Sequence, residues 1–232
     1  VTYRAMSTWA SDMLLCKYSP SGDLLWSNNL FWAYSSYYGS AVIETSQGDI
    51  IAISDSDTDP IHFHRYNHNG TTIDYFEYGN GLYSVANSVF ETPENNFVFA
   101  GSYSDNFLDD KDIFIACLDT LGNEVWRTNY GGNGYDKIYS VSKTIDGGYI
   151  LVGNTHSFDS ADGDVLLVKT NAVGNIDWVR IFDFQEADFG YCVIQSSDGG
   201  FVIIGKTREA YYYKWDILII KTDESGNLQE VF

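Results

Sequence analysis

The sequence is short of positive charge, of cysteine, of proline and of long apolar runs, and these shortages remove whole classes of protein. Thirteen Lys and Arg stand against 32 Asp and Glu, a formal charge of −19 at pH 7. Such a chain repels a phosphate backbone, which excludes a general nucleic-acid binder. The three cysteines cannot all pair within one chain. Cys16 and Cys117 lie in apolar runs and Cys192 lies between Tyr191 and Val193, so all three read as buried, inert thiols in strands. They leave the redox compartment open. No apolar run reaches the roughly 18 residues that span a bilayer, and no basic-then-apolar leader opens the chain. The first residue is Val1 rather than Met, from which we expect a processed protein or an excerpt of a longer one. No segment sustains a 3.6-residue apolar period, so helical folds drop out.

What is present is a core-forming chain: 44% of its 232 residues are apolar, 16% are aromatic, and there are 21 Gly against 3 Pro. It is also a repeat. Segments of one pattern begin at Asp12, Pro60, Asp112, Asp164 and Asp216, 48, 52, 52 and 52 residues apart, each followed ten residues on by Gly22, Gly70, Gly122, Gly174 or Gly226. One period reads as four strands. Tyr139 to Thr144 (strand A) alternates and ends at the turn signal Asp146-Gly147-Gly148. Tyr149 to Gly153 (B) is a continuous apolar run, a loop from Asn154 to Gly163 leads to Asp164–Lys169 (C), and a turn at Gly174 leads to Ile176–Arg180 (D).

Four short antiparallel strands at a period near 50 residues are the spacing of a β-propeller blade. Apolar residues on both faces of the middle strands fit a sheet covered on both sides. We therefore expect an all-β chain, a single propeller domain over residues 1–232, with units at about 1–36, 37–84, 85–136, 137–188 and 189–232. Strand A is found four times, near 39–45, 87–92, 139–144 and 191–197, and B, C and D five times. Five blades with an incomplete first one result, either closing as a ring or taking the missing strand from flanking chain.

Only the B-to-C loop changes length between copies, and variation in a repeat protein maps to loops, often on the binding face. The B-to-C and D-to-A loops should emerge at the same end, because strand direction reverses at every turn. These loops carry Trp9, Tyr103, Phe107, Phe158, Tyr211, Tyr213 and Trp215, with Trp32, Tyr34, Tyr37 and Tyr38 from the D-to-A side, among many acids. Flat rings beside carboxylates suit sugar faces or peptide anchors. We take Trp9, Tyr103, Phe107, Phe158, Tyr211, Tyr213 and Trp215 as the candidate ligand-binding residues. Packing of blade cores is the competing role for the same rings.

Other constellations read as structural. Asp12, Asp112, Asp164 and Asp216 recur at the start of strand C as expected acceptors for turn N–H groups. Trp26, Trp126 and Trp178 recur as packing residues, with Asp74 in the second copy. Acidic runs from Asp159 to Asp164 and from Asp55 to Asp59 are the nearest approach to a calcium loop, yet neither has the full ligand spacing. No cofactor is therefore expected, with calcium in these acidic loops as the alternative. His62 and His64 stand two apart on a strand, a geometry zinc uses, but Leu166 and Val168 fill the same places in a later copy, so we expect inward-facing core histidines.

The string Asp146-Gly147-Gly148-Tyr149, then Asp164 to Thr170, then Gly174-Asn175 and Trp178 resembles the secreted β-propeller repeat proteins common in Bacteroidetes and found in some archaea. The resemblance covers essentially the whole chain and is strongest from residue 96 on, while Ile53 and Asp74 depart from the pattern in the second copy. The last three strands also look like the blade layout of quinoprotein-type propellers, without a cofactor pocket signature. The resemblance implies an extracellular or cell-surface protein, often one part of a longer multidomain chain, and no enzyme activity. The expected function is thus a non-enzymatic interaction module binding a protein or glycan through the long-loop face. Its rivals are a multivalent lectin, a ligand-free spacer, and a five-bladed glycoside hydrolase using two carboxylates across a channel, for which Asp136, Glu186 and Asp188 are the nearest candidates.

Overall fold

The hairpins are set by one turn chemistry. At Thr144, the backbone N–H donates to the Gly148 carbonyl at 2.9 Å, and the Gly147 N–H returns to the Thr144 carbonyl at 2.9 Å. Gly147 closes the turn at φ +84°, a left-handed conformation that costs glycine little. The same pair of bonds closes turns starting at Ser19, Thr45, Asn67, Thr92, Asp119, Asn171, Ser196 and Asp223, nine in all among the described residues. Asn95 takes the glycine position once, at φ 63°. Side chains of the first residue reinforce several turns, as where Asp119 Oδ1 accepts the N–H groups of Leu121 and Asn123, both at 2.9 Å.

The computed structural model describes residues 2–5, 11–30, 38–55, 60–79, 84–104, 111–160, 162–184, 186–208 and 214–232. Every regular element in it is a strand. β1 (Thr2–Ala5), β2 (Ser11–Tyr18) and β3 (Leu24–Leu30) form a three-stranded sheet. β4 (Tyr38–Glu44), β5 (Ile50–Asp55), β6 (Ile61–Tyr66) and β7 (Thr72–Tyr78) form the second, and β8 (Ser84–Glu91), β9 (Phe97–Tyr103), β10 (Asp112–Leu118) and β11 (Glu124–Tyr130) the third. The fourth holds β12 (Asp136–Lys143), β13 (Tyr149–Thr155), β14 (Asp164–Thr170) and β15 (Ile176–Phe182). The fifth holds β16 (Asp188–Gln195), β17 (Phe201–Arg208), β18 (Trp215–Thr222) and β19 (Leu228–Val231). Strands are paired in chain order within each sheet, the antiparallel meander of a propeller blade. The chain is all-β, a β-propeller of four-stranded blades in which three strands of the first blade lie among the described residues.

Strand A starts three residues earlier than its sequence pattern suggests in the last two blades, at Asp136 and Asp188. A bulge between Ile138 and Ser140, and another between Gly190 and Cys192, shifts the alternation there and hides the strand starts from a period-two reading. The bulge also explains the glycine within strand B. A Cβ on Gly153 would lie 1.7 Å from the Lys137 carbonyl oxygen, so the two backbones touch where any side chain would separate them.

Contacts divide the chain into two compact units, one of Val1–Phe99, Tyr103–Phe107 and Cys117–Val125 and the other of Ala100–Ser102, Leu108–Ala116 and Trp126–Phe232. In the first, Met13, Leu15, Ile50, Ala52 and Tyr66 form a buried cluster with Trp26, and Phe63 packs on Phe76 at 4.8 Å. In the second, Val152, Val165 and Leu167 of the fourth sheet pack with Val193, Ile203, Leu218 and Ile220 of the fifth. Every residue of β13 and β14 is buried, as strands covered on both faces require.

The repeat letters resolve into contacts. Asp146 and Lys169 of one copy pair at 2.8 Å, and Asp198 and Lys221 of the next do the same. Burial pushes Asp146 up, but hydrogen bonds from Lys169, Thr144 and Gly148 hold it at about 2. The recurring Trp packs against the C-to-D turn glycine of the following copy, Trp26 on Gly70, Trp126 on Gly174 and Trp178 on Gly226. In the second copy Phe76, not Asp74, provides the ring, which lies on Gly122. His62 and His64 are buried, at 3% and 6% exposure. His64 Nε2 lies 3.2 Å from Ser54 Oγ, and His62 Nδ1 meets the Tyr75 hydroxyl. One expectation fails: Cys117 is buried, but Cys16 is half-buried and Cys192 is exposed, because the bulge at Gly190 turns Cys192 to the outer face of the last sheet.

Candidate functional site

The B-to-C and D-to-A loops meet at one end of the blades, stitched by their backbones. In the second unit Asp136 N donates to Lys111 O at 2.6 Å, His156 N to Tyr135 O at 2.9 Å, Asp188 N to Gly163 O at 2.7 Å and Arg208 N to Ala187 O at 3.0 Å. The opposite end carries the tight turns.

Asp136 organises the loops of the fourth blade. Its side chain is fully buried, and Oδ2 accepts the Gly132 N–H at 3.0 Å and the Ser157 hydroxyl at 2.9 Å. Ser157 Oγ in turn accepts the Gly134 N–H at 3.0 Å. One carboxylate thereby fixes the D-to-A loop against the B-to-C loop. The Ser160 hydroxyl tightens the second loop by donating to Thr155 O at 2.8 Å.

Between these loops lies an open cleft of about 540 Å³, lined by residues 132–134 and by His156, Ser157, Phe158 and Asp159. Phe158 and Asp159 adopt φ 57° and 69°, a left-handed backbone that is unfavourable for a bulky side chain. The strained turn presents the Phe158 ring 48% exposed while it stacks on Tyr130 at 5.4 Å and 27°. His156 Nδ1 stands 3.2 Å from the Tyr135 carbonyl. Burial, with the charge of Asp136 adding, raises the Tyr130 hydroxyl above its ordinary value, and burial raises that of Tyr135. Both phenols therefore stay neutral donors at physiological pH.

A second aromatic patch lies on the fifth blade. Lys206 Nζ stands 4.0 Å from the Trp215 ring centre, 4.9 Å from Phe189 and 5.5 Å from Tyr191. Tyr191 continues to Tyr139 at 5.1 Å, whose hydroxyl is pushed up to about 12 by burial, with Tyr135 and Tyr191 adding. Trp215 is 45% exposed. Beside it the outer face of the last sheet is open and apolar. Ile204 and Ile217 are 47% and 72% exposed, whereas Val152 and Val165, their counterparts 52 residues earlier, are wholly buried.

Of the candidate ligand residues, Phe158 and Trp215 are exposed and belong to separate patches. Tyr103 ends β9 half-buried in the first unit. Trp9, Phe107, Tyr211 and Tyr213 lie outside the described residues, as do Trp32, Tyr34 and Tyr37. Sequence reasoning missed His156, Ser157 and Tyr130 at the cleft and Phe189, Tyr191 and Lys206 at the patch. Tyr130 lies two residues beyond the expected strand D and ends β11, whereas Ser157 depends on a long-range bond that leaves no local pattern. Aspartates at the start of strand A also act as acceptors, since Asp136 and Asp188 accept backbone N–H groups. Of the carboxylates weighed for hydrolysis, Asp136 and Asp188 are buried at 0% exposure and Glu186 pairs with Arg208 at 2.7 Å.

No family model matches the chain, and no curated protein matches it. Solved structures do. A protein of unknown function from Bacteroides caccae aligns with TM-score 0.59 and 13% identity, over 96% of this chain and 74% of that one. The Penicillium chrysogenum α-L-arabinanase complexed with arabinobiose aligns with TM-score 0.59 and 14% identity, over 83% of this chain and 64% of that one. PorZ, a surface component of the type-IX secretion system of Porphyromonas gingivalis, aligns with TM-score 0.51 and 8% identity over 91% of this chain. The chain spans less than two thirds of the arabinanase and 30% of PorZ. At these identities the likeness is one of fold, the β-propeller.

Proposed function

We propose that this β-propeller is a non-enzymatic, extracellular or cell-surface interaction module, and that its long-loop face holds a glycan on its partner. The observation that carries this reading is Phe158, whose ring is held half-exposed by a left-handed backbone at the edge of the cleft. Strain of that kind persists where the surrounding structure over-determines it, and it clusters at binding sites. A pyranose face stacks on such a ring, while Asp159, His156 and the backbone of residues 132–134 border the same cleft and provide donors and acceptors for hydroxyls. The formal charge of −19 favours a neutral or cationic partner over an acidic one. Support from fold neighbours is of the same kind: PorZ is a bacterial surface component, and the arabinanase holds a disaccharide. A glycan array probed with the intact chain and with Phe158→Ala tests the reading. Hits that vanish in the variant are expected; an array without hits, or hits indifferent to Phe158, would overturn it.

A further inference from the structure

We propose that Asp164, Asp183 and Asp188 bind a calcium ion. The three residues come from separate segments, Asp164 opening β14, Asp183 following β15 and Asp188 opening β16. One oxygen from each lies within 4.8 Å of those of the other two. Oxygens around calcium sit roughly 2.3–2.6 Å from the ion, so a pair in one shell is separated by at most about 5 Å. The three oxygens therefore fit a single coordination sphere.

The second observation is Asp188 itself. Its side chain is 0% exposed. Oδ2 accepts the Phe184 N–H at 2.8 Å and the Thr207 side chain also bears on the carboxylate, yet Oδ1 is buried without a partner within 3.5 Å among the described residues. A buried carboxylate oxygen left in that state costs far more than one that is paired or bound to metal. Asp164 is 8% exposed. Among the described residues no Lys or Arg pairs with Asp164 or Asp188, and the adjacent Arg208 pairs with Glu186. Burial raises both carboxyls above their ordinary range, and Asp183 pushes on each of them. An ion at the centre turns this mutual repulsion into shared coordination.

The preceding copy shows what the third carboxylate adds. Asp112 and Asp136 stand 52 residues before Asp164 and Asp188, and Asp136 Oδ1 is likewise without a partner. Gly131 stands at the place of Asp183, and a Cβ there would lie 1.8 Å from Asp112 Oδ1. That copy has two carboxylates and a glycine in place of the third. Calcium takes six to eight oxygens in flexible geometry and completes its shell with water, which suits a half-open site of three acids. Magnesium demands near-ideal octahedra and suits it less. Bound there, the ion ties the start of β16 to the start of β14 and to the chain leaving β15.

The test is the melting temperature of the EDTA-treated chain with and without about 2 mM CaCl2, a concentration suited to extracellular-type sites. A rise of about 5 °C is expected, with a smaller one in MgCl2. Asp183 is exposed, so Asp183→Asn should fold and lose most of the rise. Asp183→Gly, which carries the residue of the preceding copy, should do the same. Asp162→Asn, in the acidic run but outside the cluster, should keep it. Absence of any calcium-dependent shift in the native chain, or a full shift in both Asp183 variants, would overturn the proposal.

Discussion

The indole of Trp126 fills the space that a side chain on Gly174 would need: Trp126 Cζ3 lies 2.1 Å from the position of a Cβ there. Gly174 also sits at φ +77°, so the repeat ties a turn conformation in one copy to a packed ring in the copy before it. Gly147 has a similar φ, +84°, but its nearest neighbour is Ala172 Cβ at 3.9 Å. Gly147→Ala should therefore cost only the backbone term, about 1 kcal/mol. Gly174→Ala should cost about 3 kcal/mol, because the indole must move as well. Urea unfolding of the two variants compares them, and equal losses would show that the ring contact contributes nothing.

His64 gives the second blade a pH dependence. Burial first, and then the charge of His62, lowers its pKa from 6.5 to about 4. The folded value lies below the unfolded one, so the stabilising contribution is complete above pH 6.5 and is lost as pH falls from 6.5 towards 4. The full loss is on the order of 3 kcal/mol. The imidazole resonances of His64 should titrate near pH 4, and His64→Leu should flatten stability across that window. A midpoint near 6.5 would contradict the burial argument.

The cysteines separate by site. The Cys117 thiol is pushed up to about 11 by burial, with Glu94 and Asp119 adding, whereas Cys192 is exposed on the outer face of the last sheet. A maleimide at neutral pH should modify Cys192 within minutes and leave Cys117 intact until the chain unfolds. Protection of Cys192 in the native protein would mean that the face bearing Ile204 and Ile217 is covered in solution.

In the Trp215 patch the cation lies on the rings. Replacing Lys206 by Met removes contacts to Trp215, Phe189 and Tyr191, each worth about 0.5–1 kcal/mol at exposed sites. A stability loss of about 1–2 kcal/mol, with a changed Trp215 fluorescence maximum, is the expected result. An unchanged spectrum would place Lys206 away from the indole.

How much of this was legible follows from where each signal resides. Blade number, turn glycines and the strand B and C cores could be read because turn chemistry and apolar runs are local in sequence. The starts of strand A could not, because Asp136 and Asp188 look like loop residues until a buried backbone bond draws them in. Phe76 replaces the missing Trp from two positions away, a substitution visible only once its ring is seen on Gly122. Phe158 was found as a loop aromatic, but its strained backbone and its stacking on Tyr130 are tertiary. Asp183 has no counterpart in the other copies, so the repeat argument that explained Asp164 passed over the one residue that gives it a different role.

The most direct test of the binding account is an affinity series at Phe158. Once a ligand is identified on the array, isothermal titration compares the native chain with Phe158→Trp, Phe158→Leu and Phe158→Ala. A stacking ring contributes about 1.4 kcal/mol beyond its apolar area, or roughly tenfold in affinity. Retention in the Trp variant, with a loss of about tenfold or more in both Leu and Ala variants at unchanged melting temperature, is the result the account requires. Equal affinity across the series would contradict it.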